Sequence, residues 1–182
     1  MIIGLCGMSG TGKSSLCNEL VKLGYNKVIT DTTRPPREGE VDEVDYFFDT
    51  EEEFQELEDM GEFIETTSYK VASGATWRYG TTIGQLRDAG PNSVIVLNPQ
   101  GVRALKNLEK STKIVLINAN KILLLSRLKS RGDNPKEIER RLAADEKDFE
   151  GIEQYADLIV KNDEKTNLRK LAKYIVKHLE QD

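Results

Sequence analysis

The chain has 182 residues, 38% of them hydrophobic, and a formal net charge of −5 from 26 basic and 31 acidic side chains. That size suits one globular unit with inserted modules, the acidic balance argues against a general nucleic-acid binder, and no apolar run approaches the ~18 residues of a membrane span. The N-terminal apolar run is too short for a signal peptide, and the two cysteines, Cys6 and Cys17, fall in a predicted strand and helix, so reduced buried thiols and a cytoplasmic setting are expected.

Met1 to Cys6 reads as a buried strand, and it feeds Gly7-Met8-Ser9-Gly10-Thr11-Gly12-Lys13-Ser14. That stretch matches the phosphate-loop pattern G-x-x-x-x-G-K-[ST] at every fixed position. Glycines let the backbone curl so that successive N–H groups face phosphate oxygens, and a helix N-terminus adds its positive end. Lys13 then reaches the outer phosphates and the Ser14 hydroxyl ligates Mg²⁺. The expected phosphate-binding set is Gly7, Ser9, Gly10, Thr11, Gly12, Lys13, Ser14 and Ser15. A plain Gly/Ser turn is the alternative, disfavoured by the apolar-periodic Leu16, Leu20, Val21 and Leu23 that follow.

Lys27 to Asp31 reads as a second strand, and residues 92–97, 112–117 and 157–160 as three more. Strands alternating with helices predict an α/β fold with a central parallel sheet of five strands. Helix starts are marked by the capping box Thr50-Glu-Glu-Glu53, by Asn98-Pro99, and by Asn134-Pro135 with Glu137 at the third position. The stretch 33–79 breaks the alternation with Pro35-Pro36, an aromatic strand at Tyr46-Phe47-Phe48, one helix, and a strand near 62–67. It is expected to be a mixed α+β module inserted into a core of residues 1–32 and 80–182.

Arg34 and Arg37 stand three apart just after a strand end, where ligands of α/β sheets collect. Paired guanidinium groups present planar forks to oxygens, and the Tyr46 hydroxyl can donate to a phosphate. Either these arginines hold an anionic ligand or they offset nearby carboxylates; composition does not choose.

The same residues resemble the guanylate kinase family. The likeness rests on the phosphate loop, Thr32-Thr-Arg34-Pro-Pro-Arg37-Glu-Gly-Glu-Val-Asp42, Asp45-Tyr46-Phe-Phe and Gly61-Glu-Phe-Ile-Glu65. It continues through Tyr79-Gly80-Thr81, Gln100-Gly101, Arg127-Leu-Lys-Ser-Arg131-Gly132, Glu139-Arg-Arg141-Leu142 and Leu158-Ile-Val-Lys-Asn162-Asp163. The resemblance implies a three-layer P-loop kinase fold with a helical lid at about residues 127–145, and phosphoryl transfer from ATP, with Mg²⁺, to GMP and dGMP. Arg34, Arg37, Tyr46 and Tyr79 would hold the acceptor's phosphate. Glu65 would accept from the guanine ring, with Thr30, Gly80 and Thr81 beside the base. Arg127, Arg131 and Arg141 would neutralise the phosphates, and Asn162 and Asp163 would lie near the adenine. Lys13, Arg34, Arg131 and Arg141 form the expected catalytic set. The partners implied are small-molecule nucleotides, with no nucleic acid and no membrane, in a monomer or homodimer.

Two departures stand out. The family ends the strand before Gln-Gly with aspartates, whereas this chain has Val96-Leu97-Asn98-Pro99. Asn98 suits a helix cap, and whether or not it serves as one, metal binding is expected to lean more on water, Ser14 and the ATP phosphates, with Asp31 a candidate to supply the missing charge. The interval from Glu65 to Tyr79 is also about five residues longer than is usual, read either as a tolerated loop insertion at 69–77 or as a rebuilt pocket in which Trp77 stacks. Two other readings follow: a kinase of another (deoxy)nucleoside monophosphate or sugar phosphate, and a non-catalytic interaction domain of the same fold.

Overall fold

The computed structural model describes residues 1–71 and 73–181. In chain order its elements are β1 (Ile2–Cys6), α1 (Lys13–Val21), β2 (Asn26–Lys27), β3 (Asp31–Thr32), β4 (Phe47–Phe48), α2 (Glu51–Asp59), β5 (Phe63–Lys70) and β6 (Thr76–Thr82). There follow α3 (Ile83–Ala89), β7 (Ser93–Leu97), α4 (Pro99–Leu108), β8 (Lys113–Asn118), α5 (Lys121–Ser130), α6 (Pro135–Asp148), a 3₁₀ turn (Ile152–Tyr155), β9 (Leu158–Lys161) and α7 (Leu168–Leu179).

A parallel five-stranded sheet runs β2-β7-β1-β8-β9, so the strand that carries the phosphate loop lies at its centre. Its inner strands β1, β7 and β8 read as continuous apolar runs because both faces are covered. Ile3, Leu5, Val115 and Ile117 pack with Leu16, Leu20 and Ile175, on the side of α1 and α7. Cys6, Ile114 and Leu116 face the other way, onto Val102 and Leu105 of α4. Both cysteines are free and buried, and burial pushes each thiol up to about 11, so they are packing groups and not nucleophiles.

A second sheet, β4-β3-β6-β5, draws on residues 31–82. β3 pairs parallel with β4 and antiparallel with β6, while β5 and β6 form a hairpin whose register runs from Phe63↔Thr82 to Lys70↔Thr76. Phe54 of α2 stacks on Phe63 at 4.5 Å and lies over Gly80, where an added Cβ would come within 2.5 Å of the Phe63 ring. Gly80 is therefore required by close packing as much as by any ligand.

Two expectations are corrected here. The strand predicted at 27–31 is split: Asn26–Lys27 joins the parallel sheet, Asp31–Thr32 joins the second, and the intervening residues carry the chain from one sheet to the other. The stretch 69–77 is not all loop: the extra residues lengthen the hairpin, with Tyr69 and Lys70 paired to Trp77 and Thr76, while 71 and 73–75 lie between the strands. Within it, Ala72 lies outside the described residues.

α5 and α6 form a helical pair held by Leu124, Leu128, Ile138 and Leu142, with Met8 of the phosphate loop packed against them. The predicted caps form: Thr50 completes its box with Glu53, and Asn98 and Asn134 cap α4 and α6. Glu137, at the third position of α6, bonds Arg140 and Arg141 on its own helix.

Candidate active site

The C-terminal end of β1 opens into a cleft of about 620 Å³, within the usual range of ligand pockets. The second sheet forms one wall and the α5–α6 pair another. At its floor the chain turns into α1 through Gly12, held at φ +91° with the Asn162 amide 2.5 Å from where a Cβ would stand. No side chain of the described residues caps α1, whereas α2, α4 and α7 are capped by Thr50, Asn98 and Asn167. The first-turn N–H groups of α1 are thus left for a ligand to satisfy.

Around them, Lys13 Nζ donates to the carbonyls of Gly7 at 2.6 Å and Met8 at 3.2 Å. Burial holds its ammonium below the ordinary lysine value, Asp145 opposes that shift, and Arg131 adds to it. Ser9 N–H donates to Asp145 Oδ2 of α6 at 2.6 Å. Asn162 braces the loop by donating to Thr11 O at 2.8 Å, and Arg127 donates to Gly10 O at 3.3 Å. Gly7, Ser9, Gly10, Gly12, Lys13, Ser14, Ser15, Arg127, Asn162 and Asp163 all line the cleft. Thr11 does not. It is 1% exposed, its N–H and hydroxyl both return to Met8 O, and its expected contact with phosphate is corrected to an internal brace.

On the second sheet, Arg34 is 2% exposed, lies against the rings of Tyr46 and Phe48, and is gripped by both oxygens of Glu40. Burial alone would lower its pKa, but the Glu40 contacts outweigh that and hold it above the usual arginine value. Arg37 goes the other way: burial, then the charges of Arg34, Arg131 and Arg141, pull it below its ordinary value. Four guanidinium groups from three parts of the chain thus converge, and an anion is the group that would relieve them. Tyr46 and Tyr79 meet edge to face at 6.3 Å beside them.

Deeper in the cleft Glu65 accepts from the Thr81 hydroxyl at 3.0 Å, with Thr67 and Asn98 around it. Burial raises the Glu65 pKa and these three donors moderate the rise. Asn98 does two jobs: its Oδ1 caps α4 at Gly101 N, 2.7 Å away, and its Nδ2 donates to Thr67 Oγ1 at 2.9 Å. Thr30 and Gly80 line the same part. A carboxylate with a neighbouring hydroxyl acceptor–donor is suited to a flat ring that presents adjacent N–H groups.

From the α5–α6 side, Arg131 pairs with Asp133 at 2.5 Å and Arg141 with Glu137 at 2.7 Å. Arg141 also lies over the Trp77 ring at 5.6 Å. Trp77 therefore stacks, on an arginine of α6. Glu40, Tyr69, Arg140 and Asp145 were not singled out by sequence. A signal existed for Asp145, four residues after Arg141 and so on the same face of α6.

Asp31 is the other correction. It is 3% exposed, accepts from Gln85 Nε2 at 2.5 Å, lies against Asp49, and is not among the residues lining the cleft. β3 has left the parallel sheet by that residue, and the carboxylate is held by Gln85 of α3. Burial pushes Asp31 up to about 6 and burial with the Asp31 charge pushes Asp49 up to about 7. Among the described residues no group of three or more histidine, cysteine or acidic side chains could hold a metal by itself.

Three comparisons bear on this geometry. The guanylate kinase family model matches residues 1–178. The chain is 32% identical over 181 residues to a guanylate kinase of Rickettsia prowazekii, covering 97% of this chain and 90% of that protein. It is 37% identical over 162 residues to one of Thiobacillus denitrificans, covering 85% of this chain and 75% of the relative. Among solved structures, the guanylate kinase of Anaplasma phagocytophilum superposes with a TM-score of 0.71 at 24% identity, over 100% of this chain and 85% of that one, a likeness of fold.

Proposed function

We propose that this chain, which belongs to the guanylate kinase family, transfers the γ-phosphoryl group of ATP in line to a phosphate oxygen of GMP or dGMP. The acceptor oxygen forms the new bond to phosphorus as the bond to the β,γ-bridging oxygen breaks and ADP departs. The observation that carries this reading is the convergence of Arg34, Arg37, Arg131 and Arg141 opposite the phosphate loop, close enough to depress Arg37. Such transfer needs positioning and positive charge more than covalent help.

In this reading the loop and Lys13 hold the β- and γ-phosphates, with Lys13 exchanging its two carbonyl partners for phosphate oxygens. Arg34, Arg37, Tyr46 and Tyr79 hold the acceptor's phosphate. Glu65 accepts from the guanine N–H groups, with Thr81 and Thr30 alongside. Residues 33–79 act as a monophosphate-binding module and 127–145 as a lid, closing to exclude water. Mg²⁺ bound with ATP would neutralise phosphate charge. The residues present fit that arrangement, since the Ser14 side chain lines the cleft beside the loop and the remaining ligands would come from phosphates and water.

The test is a phosphoryl-transfer assay with ATP and Mg²⁺, offering GMP, dGMP, AMP, CMP and UMP separately, with Lys13→Ala as control. Lys13-dependent conversion of GMP and dGMP alone is expected. Turnover of a different acceptor would replace the guanine assignment, and no turnover with nucleotide still bound would replace catalysis with a binding role.

A further inference from the structure

Ser9 lines the cleft at the phosphate loop, and its N–H donates to a carboxylate of α6. We infer that Asp145 is a built-in competitor for the phosphate loop, occupying an anion position that a nucleotide phosphate must take and thereby setting how tightly nucleotide is held. This rests on the reading of the loop as the nucleotide site.

Three observations carry it. The Ser9–Asp145 bond is short, 2.6 Å, and joins residues 136 positions apart, so it belongs to the closed arrangement of α6 over the loop and not to local turn geometry. A backbone N–H donating to a carboxylate is a charge-assisted bond, the same chemistry by which such a loop holds a phosphate oxygen. Asp145 also stands close enough to Lys13 to act on its charge, so the carboxylate lies beside the two groups a polyphosphate needs.

One turn earlier on α6, Arg141 rests on Trp77. The helix thus contacts both sides of the cleft, the loop through Asp145 and the hairpin through Arg141.

Nucleotide and Asp145 cannot share Ser9 N–H. A polyphosphate brought to the loop would also set negative charge against the carboxylate. Entry therefore requires Asp145 to leave, and the measured affinity is lowered by the fraction of molecules in which the loop is filled from within. On exit the same carboxylate is at hand to take the vacated donor. A ligand without phosphates meets none of this competition.

The experiment is calorimetric titration of ADP and of adenosine, with EDTA present so that no metal bridges phosphate to carboxylate. It uses the whole protein, Asp145→Ala, Asp145→Asn and Lys13→Ala. Both Asp145 substitutions are expected to tighten ADP by about tenfold, the scale of one charged hydrogen bond, while adenosine binding stays as in the unsubstituted protein. Alanine is a strong helix former and leaves α6 intact, and a thermal melt of each variant checks the fold. Unchanged or weaker ADP binding by Asp145→Ala, with Lys13→Ala still impairing it, overturns the competitor and leaves the nucleotide site standing. ADP binding that Lys13→Ala does not impair overturns the nucleotide reading, and this inference with it.

Discussion

Glu40 grips the guanidinium of Arg34 with both oxygens, at 2.8 and 3.0 Å, while also accepting from Arg37 N–H at 2.7 Å. On the question that composition left open, both arginines contact the Glu40 carboxylate and both line the cleft, and the anion site belongs to the proposed function. Because Arg34 is almost fully buried, removing the charge of its partner is expected to cost about 2 kcal/mol. Glu40→Gln should lower stability by that amount in denaturant titrations and raise the KM for GMP, as Arg34 loses its fixed orientation. Unaltered stability would show that the aromatic rings alone hold Arg34.

In the proposed function, Glu65 sets the pH dependence of acceptor binding. Its buried carboxyl has a raised pKa, so it takes up a proton at a higher pH than an ordinary glutamate as the solution is acidified. Guanine needs the ionised form, so KM for GMP should climb as pH falls through that raised value, while KM for ATP stays level. Thr81→Val removes a donor that favours the carboxylate and should move the climb to still higher pH. A KM–pH profile for GMP that Thr81→Val leaves in place would remove Glu65 from base recognition.

The Asp31–Asp49 pair predicts a stability profile of the opposite slope to ordinary acid denaturation. Both carboxyls have folded values, about 6 and about 7, above the ordinary 3.8. Between pH 4 and 7 the folded chain therefore holds protons that the unfolded chain has released, and this pair's contribution falls as pH rises across that window. Above pH 7 the cost is fully present. Asp49→Asn should raise stability at pH 8 by on the order of 1 kcal/mol, a value kept small because Asp49 is only half buried. It should also flatten the slope in melts at pH 4 to 7.

Gly80→Ala tests the packing reading of that glycine. Its Cβ would stand 2.5 and 2.6 Å from two atoms of the Phe63 ring and 3.1 Å from Phe54. Both rings are confined by their stack, so a loss of about 1–3 kcal/mol is expected. Phe63→Leu beside it should recover part of that loss, measured as a double-mutant cycle.

Trp77 is expected to hold Arg141 in place. Trp77→Leu should lower kcat/KM by about two- to fivefold, the scale of one cation–π contact, and Trp77→Phe should retain most of it. Equal loss in both would assign the effect to packing.

The parts legible in sequence were those specified locally. The phosphate loop, the caps at Thr50, Asn98 and Asn134, and the doubly buried β7 and β8 are written in consecutive residues, and the structure repeats them. The apolar run at 27–31 carried no mark of where the chain leaves one sheet for another, so it read as one strand and Asp31 was placed at its mouth. Asp145 and Trp77 gain their meaning only from the approach of α6 to a hairpin far away in sequence. Thr11 fitted the loop pattern, but its N–H and hydroxyl are consumed by a turn that the pattern does not encode.

The β5–β6 hairpin is anchored at one end and loaded at the other. The Glu65↔Thr81 rung lies near its base and the Tyr69↔Trp77 rung near its tip, a lever arm of about 14 Å at the usual rise per residue. A rotation of about 10° at the base would swing the Trp77 rung by roughly 2 Å over that arm while leaving the Glu65–Thr81 bond at the fulcrum almost still. Such a rotation would be large enough to disengage Trp77 from Arg141 while the Glu65–Thr81 rung hardly moves.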